Sequence, residues 1–119
     1  YRHLTDSPRL GNRARGLFDS ASRGEAILIV PAIVLVELLA IYEKFKPARD
    51  IREDLAMLAA ADQFRLLPFN PDDVGALIPV RGIREMHDRI VAACAKAMNV
   101  PCVTKDSRII QSNLIETIW

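Results

Sequence analysis

Cysteine and histidine are scarce in this chain. Of its 119 residues, two are cysteine, Cys94 and Cys102, and two are histidine, His3 and His87. No CxxC spacing and no Cys/His cluster occurs, which argues against a zinc site. Both cysteines stand in apolar surroundings, AACAKA and VPCVT, and read as small buried hydrophobes in a reducing compartment. A cytoplasmic setting is expected. The histidines are too isolated to hold a metal on their own. An excess of one charge is missing too: the formal net charge is +1. Global electrostatics therefore select no partner, and affinity for nucleic acid has to come from local patches. No stretch reads as a signal peptide, a repeat, a low-complexity tract or a linker. The longest apolar stretch, 26–42, has 17 residues and is interrupted by Pro31 and Glu37. That is the short limit of a membrane span, and a buried strand running into a helix accounts for it better.

What is present suffices for one domain. Half of the residues are hydrophobic, enough for a real core, and 26% are charged, as in an ordinary soluble protein. Leu10, Ala14, Leu17, Phe18 and Ala21 recur at helical spacing ahead of Gly24, which predicts an amphipathic helix. AILIV is a continuous apolar run of strand length, of the kind buried on both faces in parallel sheets. Pro31 suits the first position of a helix that runs to about Lys46, ahead of Pro47, and is apolar nearly all round, hence expected to be buried. Residues 48–63 read as an amphipathic helix with Ile51, Leu55, Leu58 and Asp62 on one face and Arg49, Asp50, Arg52, Glu53 and Asp54 toward solvent. RLLPF follows as a strand. Asn70-Pro71-Asp72 opens a short helix over Val74 to Ile78. PVRGIRE reads as a loop, Asp88 to Met98 as a helix, Val100 to Thr104 as a strand, KDSRIIQSN as a turn with a short helix, and LIETIW as a terminal strand. Strands alternating with helices predict an α/β fold with a mainly parallel sheet.

Three carboxylates stand alone in apolar or tightly patterned frames: Glu37 in VLVELLAIY, Asp88 in MHDRIVAACAKA and Asp106 in PCVTKDSRI. An ionised carboxylate is expensive to bury without compensation. Each lies near a predicted strand–helix boundary, where sites form in open α/β sheets. Carboxylates without a histidine favour a hard cation, Mg²⁺ or Mn²⁺, which binds phosphates and activates water for attack on a phosphodiester. Arg81, Arg84, Arg89, Lys96, Lys105 and Arg108 stand around Asp88 and Asp106. A basic rim about an acidic centre would hold phosphates outside and the metal inside. Of these, Arg84, Arg89, Lys105 and Arg108 are the candidate substrate-binding residues.

Each residue has a plainer reading beside that one. Asp88 also suits a helix cap, Asp106 an ordinary turn, and Glu37 a salt bridge to a buried arginine. Thr104 is either a strand residue or a hydroxyl that orients a metal-bound carboxylate or water. His87 reads as a surface or packing residue rather than a proton shuttle.

Four segments resemble the PIN domain family, and within it the toxin component of type II toxin–antitoxin pairs (VapC-like). They are TDSPRLGNRARGLFDSA, IVPAIVLVELLAIYEK, HDRIVAACAKAMNVPCVTKDSRI and ETIW, which together span almost the whole chain. The resemblance implies a three-layer α/β/α fold around a central parallel sheet. It implies Mg²⁺- or Mn²⁺-dependent hydrolysis of RNA by a metal-activated water. Glu37, Asp88 and Asp106 match the family's acidic residues, and Thr104 matches the hydroxyl residue before the last of them. A cognate antitoxin that blocks the site and a homodimer are implied as well.

The chain departs from the family at its beginning. Family members start with an apolar strand in the middle of the sheet, ending in an aspartate that ligates metal. No such strand precedes the first helix here, and Asp6, ahead of Ser7-Pro8-Arg9-Leu10, does not replace it. The chain also opens at Tyr1 rather than Met. The expectation is a single PIN-like domain, incomplete at its N-terminus, with weakened metal affinity and stability. Two other readings stay open: an RNA-processing PIN nuclease without an antitoxin, and a non-catalytic RNA- or protein-binding module. A receiver-like signalling domain fits poorly, because Thr104 and Lys105 adjoin Asp106 instead of lying on separate strand ends.

Overall fold

Two pairs of short parallel strands carry the fold. The computed structural model describes residues 10–45 and 50–119; the expectations for His3, Asp6, Lys46-Pro47 and Arg49 lie outside the described residues. Strand β1 (Leu28–Pro31) pairs in parallel with β2 (Phe64–Leu67), Leu28 opposite Phe64 and Pro31 opposite Leu67. Strand β3 (Cys102–Val103) pairs in parallel with β4 (Thr117–Ile118). Among the described residues these form two separate two-stranded sheets. Helix α1 (Asn12–Ser22) precedes β1, and α2 (Ala32–Phe45) and α3 (Ile51–Ala60) connect β1 to β2. A 3₁₀ segment (Pro71–Val80) and α4 (Met86–Met98) connect β2 to β3, and α5 (Ser107–Ser112) connects β3 to β4. The α/β fold with parallel strands is thus the one the alternating pattern predicts.

The boundaries have local causes. Pro31 ends β1 rather than starting α2, and the strand expected over RLLPF begins one residue earlier, at Phe64, and stops at Leu67 before Pro68. Pro has no N–H for the ladder and belongs at strand ends. Of Val100 to Thr104 only Cys102 and Val103 make the ladder, extended by Thr104 N–H donating to the Ile118 carbonyl at 3.0 Å. The short helix is a longer 3₁₀ segment, Pro71–Val80, opened at Asn70, whose N–H donates to Asp73 Oδ2 at 2.7 Å. Beyond β4, the Ala14 N–H donates to the Trp119 carbonyl at 2.8 Å. Gly11 lies against that same carbonyl, and a Cβ there would collide with it.

The core is small. Val80, Ile83, Ala92 and Ala93 are buried together, with Ala76, Leu77, Leu114 and Ile115 packed around them. This cluster ties the 3₁₀ segment to α4, and Arg89 adds a clasp, its Nε donating to the Leu77 carbonyl at 3.0 Å. So the start of α4 is anchored from one side by the core.

Three burial expectations are corrected. Helix α2 is not buried: none of its residues falls in the buried class, and Val36 is 56% and Phe45 70% exposed. Apolarity all round predicts a need for cover, but the described parts of the chain meet α2 chiefly along its contacts with β1, α3 and α4. Asp54, expected toward solvent, is buried at 8% exposure. It lies three residues after Ile51 and one before Leu55, so helical geometry places it on the inward stripe. Asp62, expected on that stripe, falls beyond the end of α3 and is exposed.

Candidate metal centre at the strand ends

Asp106 follows β3 directly and is held from several sides. It is the N-cap of α5, its side chain accepting from the Arg108 N–H at 2.8 Å. Its own N–H donates to Thr104 Oγ1 at 3.0 Å. The hydroxyl thereby closes the turn that aims the carboxylate, a Ser/Thr-turn geometry.

Asp88 sits in the first turn of α4, two residues later than the start of the helix. It is not the cap. Glu85 takes that position, accepting the Asp88 N–H at 2.8 Å through Oε2 and binding His87 Nδ1 at 2.8 Å through Oε1. Glu85 was missed as a site residue because Glu is not among the preferred N-caps. Asp88 and Asp106 come together through Arg108. The same guanidinium nitrogen, Nη2, is 3.0 Å from Asp88 Oδ2 and 3.0 Å from Asp106 Oδ2, and Arg108 Nε donates to Asp106 Oδ1 at 3.2 Å.

The two contacts of that nitrogen differ. The bond to Asp106 is properly angled, whereas Asp88 Oδ2 is sealed from solvent and has no hydrogen-bond partner. Its approach to Arg108 is a charge contact only. A buried acceptor without a hydrogen bond costs about 1–3 kcal/mol.

The electrostatics follow from this. Burial, then the neighbouring Asp106, push the Asp88 carboxyl above the usual range. Asp106 moves the opposite way, lowered chiefly by its hydrogen bonds from the Arg108 side chain and N–H. Glu37 is raised, first by partial desolvation, with Asp88 and Glu85 adding repulsion and His87 opposing it. Glu37 is itself exposed, so solvent screens this effect. Its neighbours Asp88, Glu85 and His87 act on Glu37 from the start of α4, where α2 meets that helix; Asp106 does not. Glu37 has no ion-pair partner among the described residues, so the buried-arginine reading finds no support there. The His87 side chain is exposed and raised by Glu85.

The candidate phosphate-binding residues divide. Arg84 and Arg108 line an open groove of about 680 Å³ together with Glu85, Gln111 and Ser112; it runs beside the acid pair. Lys105 is exposed, its Nζ 5.8 Å from the centre of the Trp119 ring. Arg89 is part-buried on Leu77. Cys102 is buried, its thiol pushed up by that burial to about 11, and both cysteines are free. That agrees with small buried hydrophobes for Cys102, whereas Cys94 is half-buried.

The donor set can be tested against a metal. Among the described residues no three His, Cys, Asp or Glu side chains are grouped closely enough to hold one. Asp88 and Asp106 alone do suit a hard cation: two carboxylate oxygens already converge on one positive atom, and one of them lacks a hydrogen bond. Mg²⁺ commonly takes one or two carboxylates and keeps several waters.

Parallel strands, helical crossovers and acids gathered where β3 ends define an α/β domain with an acidic site at its strand ends. The family model described as PIN domain matches residues 2–113, and the chain belongs to that family. PIN domains are generally metal-dependent nucleases, so a nuclease-type fold is established for this chain. No curated protein matches it significantly. Among the described residues no helix is long and apolar enough to cross a membrane.

Proposed function

We propose that this chain is a metal-dependent endoribonuclease, the toxin half of a toxin–antitoxin pair, acting on RNA phosphodiesters in the cytoplasm. The observation that carries the reading is the convergence of Asp88 and Asp106 on one cationic atom beside a groove lined by Arg84 and Arg108. Asp88 and Asp106 would hold Mg²⁺ or Mn²⁺, with Glu37 adding negative charge from α2. A metal so bound supplies Lewis-acid polarisation and a nucleophilic water near neutral pH. Thr104 keeps Asp106 aimed. Arg84 and Arg108 face phosphate oxygens along the groove, with Lys105 toward the chain end; Arg89 contributes through the placement of α4.

The two separate strand pairs support a further parallel strand seated between them and ending in an aspartate, as the family resemblance implies. Amide hydrogen exchange checks this: β1 and β3 amides should exchange fast in the 119-residue chain and become protected when such a strand is supplied. The exposed apolar residues of α2, Val36, Leu39, Ile41 and Phe45, support a homodimer. An antitoxin belongs to the toxin reading. A neighbouring gene for a DNA-binding antitoxin would separate it from an RNA-processing nuclease.

The test is RNA cleavage with Mn²⁺ or Mg²⁺ against EDTA, beside a Glu37→Gln/Asp88→Asn control. Metal-dependent cutting lost in the control is the expected result. A second reading, a binding module without catalysis, is favoured by the absence of a three-acid group among the described residues. Binding of RNA by a folded protein that never cuts would establish it.

A further inference from the structure

Arg108 is the residue whose position the nuclease reading leaves unexplained. A side chain that only met substrate phosphate would have no reason to sit inside the acid pair. Its Nη2 instead stands at equal distance, 3.0 Å, from Asp88 Oδ2 and Asp106 Oδ2. Two carboxylates this close to a common point repel unless a positive charge lies between them. Guanidinium is a cation that does not deprotonate in proteins, so it fills that need at every working pH. Its fork is engaged on the Asp106 side and only approaches Asp88. The side chain is also 62% exposed and borders the open groove, so it has room to move away from the acids toward solvent.

We propose that Arg108 is the resident cation of the acid pair, and that guanidinium and divalent metal are alternative occupants of one position between Asp88 and Asp106. This rests on the metal-binding part of the function proposed above. The two cannot share the place: their charges repel, and each needs the same oxygens. Metal loading therefore turns Arg108 out toward the groove, beside Arg84, where a guanidinium suits phosphate oxygens. The arrangement also holds the metal-free pair together, and its consequence is a metal affinity lowered by the arginine's competition.

A purely structural arginine predicts the reverse. If Arg108 served to hold Asp106 in shape, its removal would weaken metal binding. The experiment is Mn²⁺ titration of the 119-residue chain by calorimetry, with free Mn²⁺ followed by electron paramagnetic resonance, for wild type, Arg108→Gln, Arg108→Lys and Asp88→Asn. Arg108→Gln should bind Mn²⁺ about tenfold more tightly than wild type, the lower end of what groups around a metal site contribute. Arg108→Lys, which keeps the charge and loses the fork, should fall between. If Arg108→Gln does not fold, Arg108→Lys carries the comparison alone, and affinity equal to or below wild type overturns the proposal. The same result in a folded Arg108→Gln overturns it too, while binding that still depends on Asp88 leaves the metal reading standing. If neither wild type nor the arginine variants bind Mn²⁺ in a way that Asp88→Asn abolishes, both readings fall.

Discussion

Asp106 and Glu37 are both acids placed shortly after a parallel strand, but their surroundings differ sharply. Around Asp106 the contacts are specified: Thr104 fixes its N–H, the Arg108 N–H and side chain hold its oxygens, and Asp88 faces it across one nitrogen. Around Glu37 there is an apolar helix with no residue in the buried class. The first acid is set by local hydrogen bonds that β3 and α5 provide by themselves. The second is set only by how α2 packs. A site assembled from both kinds has a preorganised half and a half that depends on tertiary cover, and preorganised groups are the ones that retain function when packing loosens.

The largest effect should follow from the preorganised half. Asp88→Asn and Asp106→Asn should each lower metal-dependent RNA cleavage about 100-fold or more, beyond the loss typical of groups that merely support ligands. Glu37→Gln should cost less, about tenfold, on the same scale. Cleavage rates for the three variants measured at saturating and limiting Mn²⁺ decide it. A Glu37→Gln loss equal to that of Asp88→Asn would break the comparison and make Glu37 a full ligand.

The pH dependence sharpens it further. Asp88 and Glu37 have carboxyls raised in the folded state, so their contribution to stability is fully present below the unfolded value and is lost as pH rises through the folded value. Asp106 is lowered, so its contribution is present above the unfolded value and is lost as pH falls through the folded one. Without metal, acidification from neutrality should first stabilise the chain as His87, Asp88 and Glu37 take up protons. It should then destabilise the chain when Asp106 does. Melting temperature against pH in EDTA should therefore pass through a maximum on the acid side, and Asp88→Asn should flatten its neutral flank. Mn²⁺ binding should fail on that same flank, at a higher pH than an ordinary carboxylate would require. A monotonic fall in melting temperature from neutrality would count against a raised Asp88.

How far the site was legible follows the same division. The α4 pattern and the Thr104-x-Asp106 spacing mark two acids and a hydroxyl near strand–helix boundaries, but no spacing rule makes them converge; in the structure Asp88 and Asp106 meet at Arg108. The Thr104–Asp106 and Asp106–Arg108 contacts are local and follow from the turn, whereas Asp88 meets Arg108 from a different helix, through tertiary packing. Helix α2 was read correctly as a helix and wrongly as buried, because apolar periodicity registers a demand for cover without naming what supplies it. Asp54 was misplaced for a related reason. Its charge suggested solvent, while its helical position, beside Leu55 and three after Ile51, pointed inward. Nothing in the sequence indicated that Arg108 would bridge the acids rather than wait at the rim, since an arginine two residues after an N-cap aspartate ordinarily reads as solvated. The strands were found but drawn too long; pairing partners, not propensity, decide how many residues join a ladder.

The smallest effect concerns Glu85, which stands between the two regions. It caps α4 at the Asp88 N–H and holds His87, and His87 in turn feels Glu37 and Asp88. His87 is raised, mainly by its hydrogen bond to Glu85, so its stabilising contribution is complete below its unfolded value and disappears as pH rises through the folded one. Glu85→Gln removes the charge but keeps an oxygen for the cap. The His87 ring protons, followed by NMR across the titration, should then report a pKa moved back toward the ordinary histidine value, with the α4 amide pattern little changed. Glu85→Ala should make the same shift and also unfasten the first turn of α4, seen as faster exchange of the Asp88 amide. If the His87 titration stays where it is in Glu85→Gln, then Glu37 and Asp88 hold the histidine instead. Glu37 would in that case be tied to the α4 corner more closely than its exposure on α2 suggests, and the contrast between the two acids would narrow from the side of the weaker one.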